Sequence, residues 1–155
     1  MKTIVVYDSV FGNTEKIADE IAKSVGGALF HVSDICAADL SDVTHLFMGS
    51  PTRAFRPTPA VTAWLKKLPA NSLKGVHASA FDTRGIMETA DSALLRRLAK
   101  WFGYAAEKIL AALEKKGAET EDYPIGFYVP ESEGPLKDGE LQRAIEWAQG
   151  VMKNE

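Results

Sequence analysis

The chain has 155 residues, 46% hydrophobic and 25% charged, with a net charge of −3 and one cysteine, Cys36; this suits a single domain over residues 1–155, without repeats or low-complexity segments. One cysteine excludes an internal disulfide and a cysteine-built metal or iron–sulfur cluster. No apolar run is long enough to span a bilayer, Met1-Lys2-Thr3-Ile4 leads into a strand and not a signal peptide, and no nucleic-acid motif or aromatic-interleaved basic patch occurs, so the expectation is a cytoplasmic protein without membrane insertion or nucleic-acid binding.

Thr3 to Tyr7 is a continuous β-branched and aromatic run, as expected of a parallel strand covered on both faces. It runs into Asp8-Ser9-Val10-Phe11-Gly12-Asn13-Thr14, after which Ile17, Ala18, Ile21, Ala22 and Val25 recur at helical spacing until Gly26-Gly27 stops the helix. The junction has the chemistry of an anion site. A helix N-terminus leaves N–H groups unpaired and carries partial positive charge, Ser9 and Thr14 add hydroxyls, Gly12 permits close approach, and Gly12 or Asn13 can cap the helix. Neither a Walker A loop nor a three-glycine dinucleotide fingerprint is present, so the phosphate expected here is a mononucleotide's. The same residue types also serve simple strand-to-helix turns.

A short strand over Ala28 to Val32 and a polar stretch from Ser33 to Asp42, suited to a loop or a single helical turn, lead to a third strand, Thr44 to Gly49. Thr58 and Pro59 then read as the cap and first residue of a helix burying Val61, Trp64, Leu65 and Leu68. Val76 to Phe81 forms the fourth strand. The long apolar periodicity from Ser92 to Lys116, with Gly103 in its middle, is either one kinked helix or two short ones. Ile125 to Val129 is the fifth strand, and Leu141, Ala144, Ile145, Ala148 and Met152 mark one stripe of a last helix.

This alternation implies a doubly wound α/β fold, a five-stranded parallel sheet in the order 2-1-3-4-5 with helices on both faces. Ligands of such sheets sit at the carboxyl ends of the strands where the order reverses, so the loops after strands one, three and four should converge. A receiver domain is excluded because strand three ends in Gly49-Ser50 and not in an aspartate. His31, His45 and His77 read as structural and not as metal ligands, and Trp64, Trp101 and Trp147 as core residues.

Ser9-x-x-Gly12-x-Thr14 after an N-terminal strand resembles the FMN-phosphate loop of the flavodoxins and flavodoxin-like proteins. Gly49-Ser50-Pro51-Thr52-Arg53 resembles their second flavin loop, Asp82-Thr83-Arg84-Gly85-Ile86-Met87 lies where they cover the other ring face, and Gly134 to Glu140 looks like their turn before the last helix. The resemblance implies FMN as cofactor, held by Ser9, Val10, Phe11, Gly12, Asn13, Thr14, Pro51, Thr52, Arg53, Ala54, Phe55, Asp82, Thr83, Arg84 and Gly85. Alternatives stand at three of these: Phe55 is either a ring wall or a loop anchor, and Arg53 and Arg84 are either at the flavin, solvated, or paired with Asp82 or Glu88.

The resemblance further implies an electron carrier without catalytic residues, docking transiently on redox protein partners. Phe11 replaces a frequent threonine, no aromatic occupies Thr83 to Met87, and the charge is weaker than in acidic carriers. The weaker charge counts against a docking carrier, while Phe11 and Gly49 to Arg53, similar to the quinone-reducing branch, together with the open flavin face imply the alternative, an FMN-dependent reductase using NAD(P)H and a quinone. Arg53, Arg56 and Arg84 are expected around the ring, favouring a negatively charged reduced flavin. A third alternative is an interaction module that kept the fold without the flavin.

Overall fold

The computed structural model describes residues 2–85, 92–120, 123–131 and 133–154. Five parallel strands, β1 (Thr3–Tyr7), β2 (Ala28–His31), β3 (His45–Pro51), β4 (His77–Arg84) and β5 (Ile125–Tyr128), form one sheet in the order β2-β1-β3-β4-β5. Helices α1 (Asn13–Val25), α2 (Pro59–Lys67), α3 (Ala93–Phe102), α4 (Ala105–Lys115) and α5 (Glu140–Lys153) complete the fold. The expected order and the layers on both faces are both present.

Side-chain alternation along the strands divides the core. Val5, Tyr7, Phe47, Phe81 and Phe127 point to the side covered by α1 and α5, where they meet Ile17, Ile21, Ala144 and Ala148. Ile4, Val6, Leu46, Met48, Ala78 and Ala80 point to the other, beneath Val61, Trp64 and Leu65 of α2 and Ile109 and Leu113 of α4. Trp64 Nε1 donates to the Ile35 carbonyl at 2.8 Å, and Trp147 meets Phe47, Phe81 and Phe127 edge-on. Gly49 of β3 pairs with Phe81 of β4, and a Cβ at Gly49 would lie 2.2 Å from the Phe81 ring.

Several expectations are corrected. Strand two stops at His31, because the chain turns into a 3-10 turn at Val32–Asp34, where His31 Nδ1 accepts from the Ser33 N–H. Part of the polar stretch that follows is a second 3-10 turn, Ala37–Leu40, the helical turn of the two readings given for it. The third and fourth strands run past Gly49 and Phe81. Their backbones stay in register through Ser50↔Asp82 and Pro51↔Thr83, and β5 extends the pairing to Arg84↔Tyr128. Asp82, Thr83 and Arg84 are therefore strand residues, and the loop after β4 starts at Gly85.

The long periodic segment is two helices. Gly103 breaks it with φ 68° and ψ −149°, a conformation open to glycine alone. Trp101 is not a core residue: it lies on α3 and is 86% exposed. His31 and His77 face separate carboxylates, Asp8 at 3.0 Å and Glu119 at 3.6 Å, and His45 stacks on His77. Among the described residues no cluster of three or more His, Cys, Asp or Glu could hold a metal.

The edge strand β5 is fastened to α5 by Glu140. Its buried carboxylate accepts from the Tyr128 N–H at 2.7 Å and pairs with Arg143, whose guanidinium also donates to the Gly126 carbonyl and lies 4.8 Å from the Phe127 ring centroid. Burial works against the charge, but the Arg143 guanidinium and the Tyr128 N–H outweigh it and hold the Glu140 pKa below its ordinary value. A carboxyl with a lowered folded pKa contributes stability above its unfolded pKa and loses it as pH falls through the folded one. Glu140→Gln is therefore expected to destabilise the protein at pH 7 and to flatten the acid side of a urea-midpoint profile below about pH 4.3. An acid limb of unchanged slope in the variant would remove Glu140 from this role.

Candidate functional site

At the carboxyl ends of β1, β3, β4 and β5 a cleft of about 440 Å³ opens, lined by Ser9, Val10, Phe11, Asn13, Thr14, Pro51, Thr52, Arg53, Ala54, Thr83, Arg84, Gly85, Val129 and Pro130. Three expected segments thus converge. Ile86, Met87 and Glu88 lie outside the described residues. Val129 and Pro130 were not anticipated; they arrive because β5 pairs with β4 as far as Arg84, which carries the loop after β5 to the cleft wall.

One end of the cleft is the start of α1. The first helical bond runs from Lys16 N–H to the Gly12 carbonyl at 3.1 Å, so the N–H groups of Asn13, Thr14 and Glu15 have no acceptor within the helix. Gly12, at φ 92°, is the N-cap residue, and no side chain caps the turn. The Asn13 side chain instead donates to the Glu133 carbonyl at 3.1 Å, tying α1 to the turn before α5. Asp8 Oδ1 accepts from the Ser9 N–H at 2.8 Å and Ser9 Oγ from the Gly12 N–H at 3.0 Å, which fixes the loop while leaving the Ser9 hydroxyl proton for a ligand. Thr14 Oγ1 is buried against Thr83 Oγ1 at 2.8 Å. Its hydroxyl fastens α1 to β4.

The other end is shaped by residues 53–56. Arg53 and Arg56 exchange both backbone bonds, at 2.8 and 3.0 Å, with Ala54 at φ 48° and Phe55 at φ 65° between them. Two successive positive φ values make a type I′ turn, and neither residue is of a kind that favours it. Contacts hold it. The Phe55 ring lies 6.0 Å from Phe102, and Lys108 Nζ donates to the Phe55 carbonyl. Phe55 is therefore the loop anchor of the two readings and does not line the cleft. The Arg53 guanidinium reaches the Phe11 ring at 5.5 Å, so these two side chains meet at the mouth.

Asp82 lies beneath the floor, fully buried. Its carboxylate takes Nε and Nη2 of Arg84, each at 2.7 Å, and the Ala106 N–H of α4 at 3.0 Å, while Thr52 Oγ1 accepts from the Ala105 N–H at 3.0 Å. Two strand ends thus cap the start of α4, which its own N-cap Tyr104 does not do. Arg84 is sandwiched between the Tyr104 ring, 3.6 Å away, and Gly126, where a Cβ would lie 2.0 Å from Nε. Burial opposes its charge, yet the Asp82 bonds keep its pKa above the ordinary value. Of the three arginines expected around a ring, Arg84 is neutralised by Asp82, Arg56 is outside the cleft, and Arg53 remains.

These residues fit a small ligand that carries a phosphate. The α1 N-terminus supplies unpaired N–H groups without any basic side chain, and the cleft volume falls in the usual range for small-molecule sites.

No protein-family model and no curated protein sequence matches the chain. Solved structures do. A flavodoxin from the domain Archaea is 20% identical with a TM-score of 0.76, covering 99% of this chain and 98% of that one. Flavodoxin 2 from Bacillus cereus is 18% identical with a TM-score of 0.77 and full coverage of both. The flavodiiron protein from Giardia intestinalis is 23% identical with a TM-score of 0.70, but only 35% of its length is matched, against 98% of this chain. Taken with the strand order and the cleft at its reversal point, these likenesses show that the chain has the flavodoxin fold.

Proposed function

We propose that the chain binds FMN in the β1–β3–β4 cleft and carries electrons between redox protein partners. The observation that carries this reading is the start of α1, where unpaired N–H groups and the Ser9 hydroxyl face one end of a cleft walled by two further loops. When bound, FMN would supply one- and two-electron redox chemistry. The chain's own residues hold the phosphate at Ser9 and at the α1 N–H groups of Asn13 and Thr14, place Thr52, Thr83 and the Arg84–Gly85 backbone along the ring site, and set Arg53 as the one cleft-lining arginine without a carboxylate partner among the described contacts.

A second reading is favoured by the mouth of the cleft. Phe11 is 47% exposed and stands beside Arg53, so an acceptor or a nicotinamide could approach the ring there, as an NAD(P)H-dependent quinone reductase requires. The purified chain, supplied with FMN and reduced stepwise without oxygen, separates the two. A one-electron form accumulating at half reduction supports the carrier; direct two-electron reduction, with steady NAD(P)H consumption when a quinone is added, supports the reductase. Failure to take up FMN at micromolar concentration sinks both.

A further inference from the structure

Helix α3 divides into two sides. Leu94, Leu95, Leu98, Trp101 and Phe102 recur at three- and four-residue spacing on one, and Arg96, Arg97 and Lys100 lie on the other. An amphipathic helix of a globular domain ordinarily buries its apolar side, but here Ala99 alone is buried. Leu94 is 64% exposed, Leu95 44%, Trp101 86% and Phe102 56%. The helix carries no acidic residue, in a chain whose net charge is −3. At its end Phe102 touches Phe55, and Phe55 belongs to the turn whose Arg53 reaches Phe11, so the exposed apolar ridge continues to the mouth of the cleft.

We propose that α3 and this rim lie on the surface of a bilayer containing anionic lipid. Leucine, tryptophan and phenylalanine on one side of a helix and arginine and lysine on the other are the composition of an interfacial helix, with apolar groups at the acyl boundary and cations among the headgroups. The charges select anionic lipid. Exposed apolar side chains with a tryptophan near the helix end and cations along its other side match the two layers of a bilayer surface, acyl boundary and headgroups. If FMN fills the cleft, as proposed above, this surface favours the second, reductase reading, with a quinone dissolved in the same bilayer as acceptor.

The test uses the whole chain, with and without FMN, sedimented with vesicles of phosphatidylcholine alone or mixed with phosphatidylglycerol. Binding to the mixed vesicles, weakening as salt is raised, is expected, with a blue shift of the exposed Trp101 emission that Trp101→Phe abolishes. Leu94→Glu, at an exposed position that leaves the core intact, should lower the partition about tenfold or more, with unchanged circular dichroism and FMN uptake. The proposal is overturned if the chain stays in the supernatant at low salt, if Leu94→Glu binds as well as wild type, or if the shift persists in Trp101→Phe. Binding to polyglutamate without binding to vesicles would overturn it too and reassign the ridge to an acidic protein. FMN uptake measured in the same sample keeps the cofactor reading separate, since flavin binding without vesicle binding sinks the lipid proposal alone.

Discussion

Asp82→Ala is expected to remove about 3–5 kcal/mol of folding stability, the range for breaking one side of a buried ion pair. The carboxylate is fully buried and receives three donors, two from Arg84 and one from the first turn of α4. Alanine would leave the Arg84 charge enclosed between Tyr104 and Gly126 and would orphan the Ala106 N–H. The loss is a large fraction of the roughly 5–15 kcal/mol that holds a domain of ordinary stability together. Urea denaturation followed by circular dichroism measures it. The double substitution Asp82→Ala/Arg84→Ala should be much less harmful than the two single losses added, because it removes the stranded charge. A single-variant loss below about 1 kcal/mol, the size of one ordinary hydrogen bond, would show that the pair is not the fastening described.

Ser9→Asp should weaken FMN binding about 100-fold or more, equivalent to roughly 3 kcal/mol, and leave riboflavin almost unaffected. The substitution places a carboxylate at the N-terminus of α1, where it takes the hydrogen-bonding position a phosphate would use and repels the phosphate itself. The same charge interacts favourably with the helix, so without ligand the variant should melt no lower than wild type. Opposite signs for stability and affinity separate this result from general damage. Titration by flavin fluorescence provides the measurement: equal losses for FMN and riboflavin, or no loss for either, would move the phosphate away from this loop.

The sheet order and the location of the cleft were legible because alternating strand and helix patterns permit few topologies, and the reversal of strand order dictates where loops gather. Strand ends were less legible. Ser50, Pro51 and Asp82 to Arg84 carry polar and turn-forming residues, yet their backbones pair across β3 and β4, and that pairing is a property of two distant segments. Trp101 shows a different limit. Periodicity reveals that a helix has an apolar side but not whether anything covers it, and α3 has the pattern of a buried helix on an exposed one. The resemblance places Asp82 among the ligand contacts and leaves Phe55 open between ring wall and loop anchor; the Asp82–Arg84 pair was legible as near neighbours in the chain, whereas Phe102 and Ala106, which give the two residues their structural work, come from segments up to about fifty residues away in the chain.

The close fit of Gly49 against Phe81 changes how the Gly-Ser-Pro-Thr-Arg segment is to be understood. Its first letter is dictated from within the core, by a ring that fills the space a side chain would need, and not by any molecule in the cleft. A descendant sequence could give up that glycine only by shrinking residue 81 in the same step, so the two positions should drift as a couple. Part of what resembles a cofactor signature is thus a record of how the sheet beneath it is packed, and would persist in a lineage that had lost its ligand altogether.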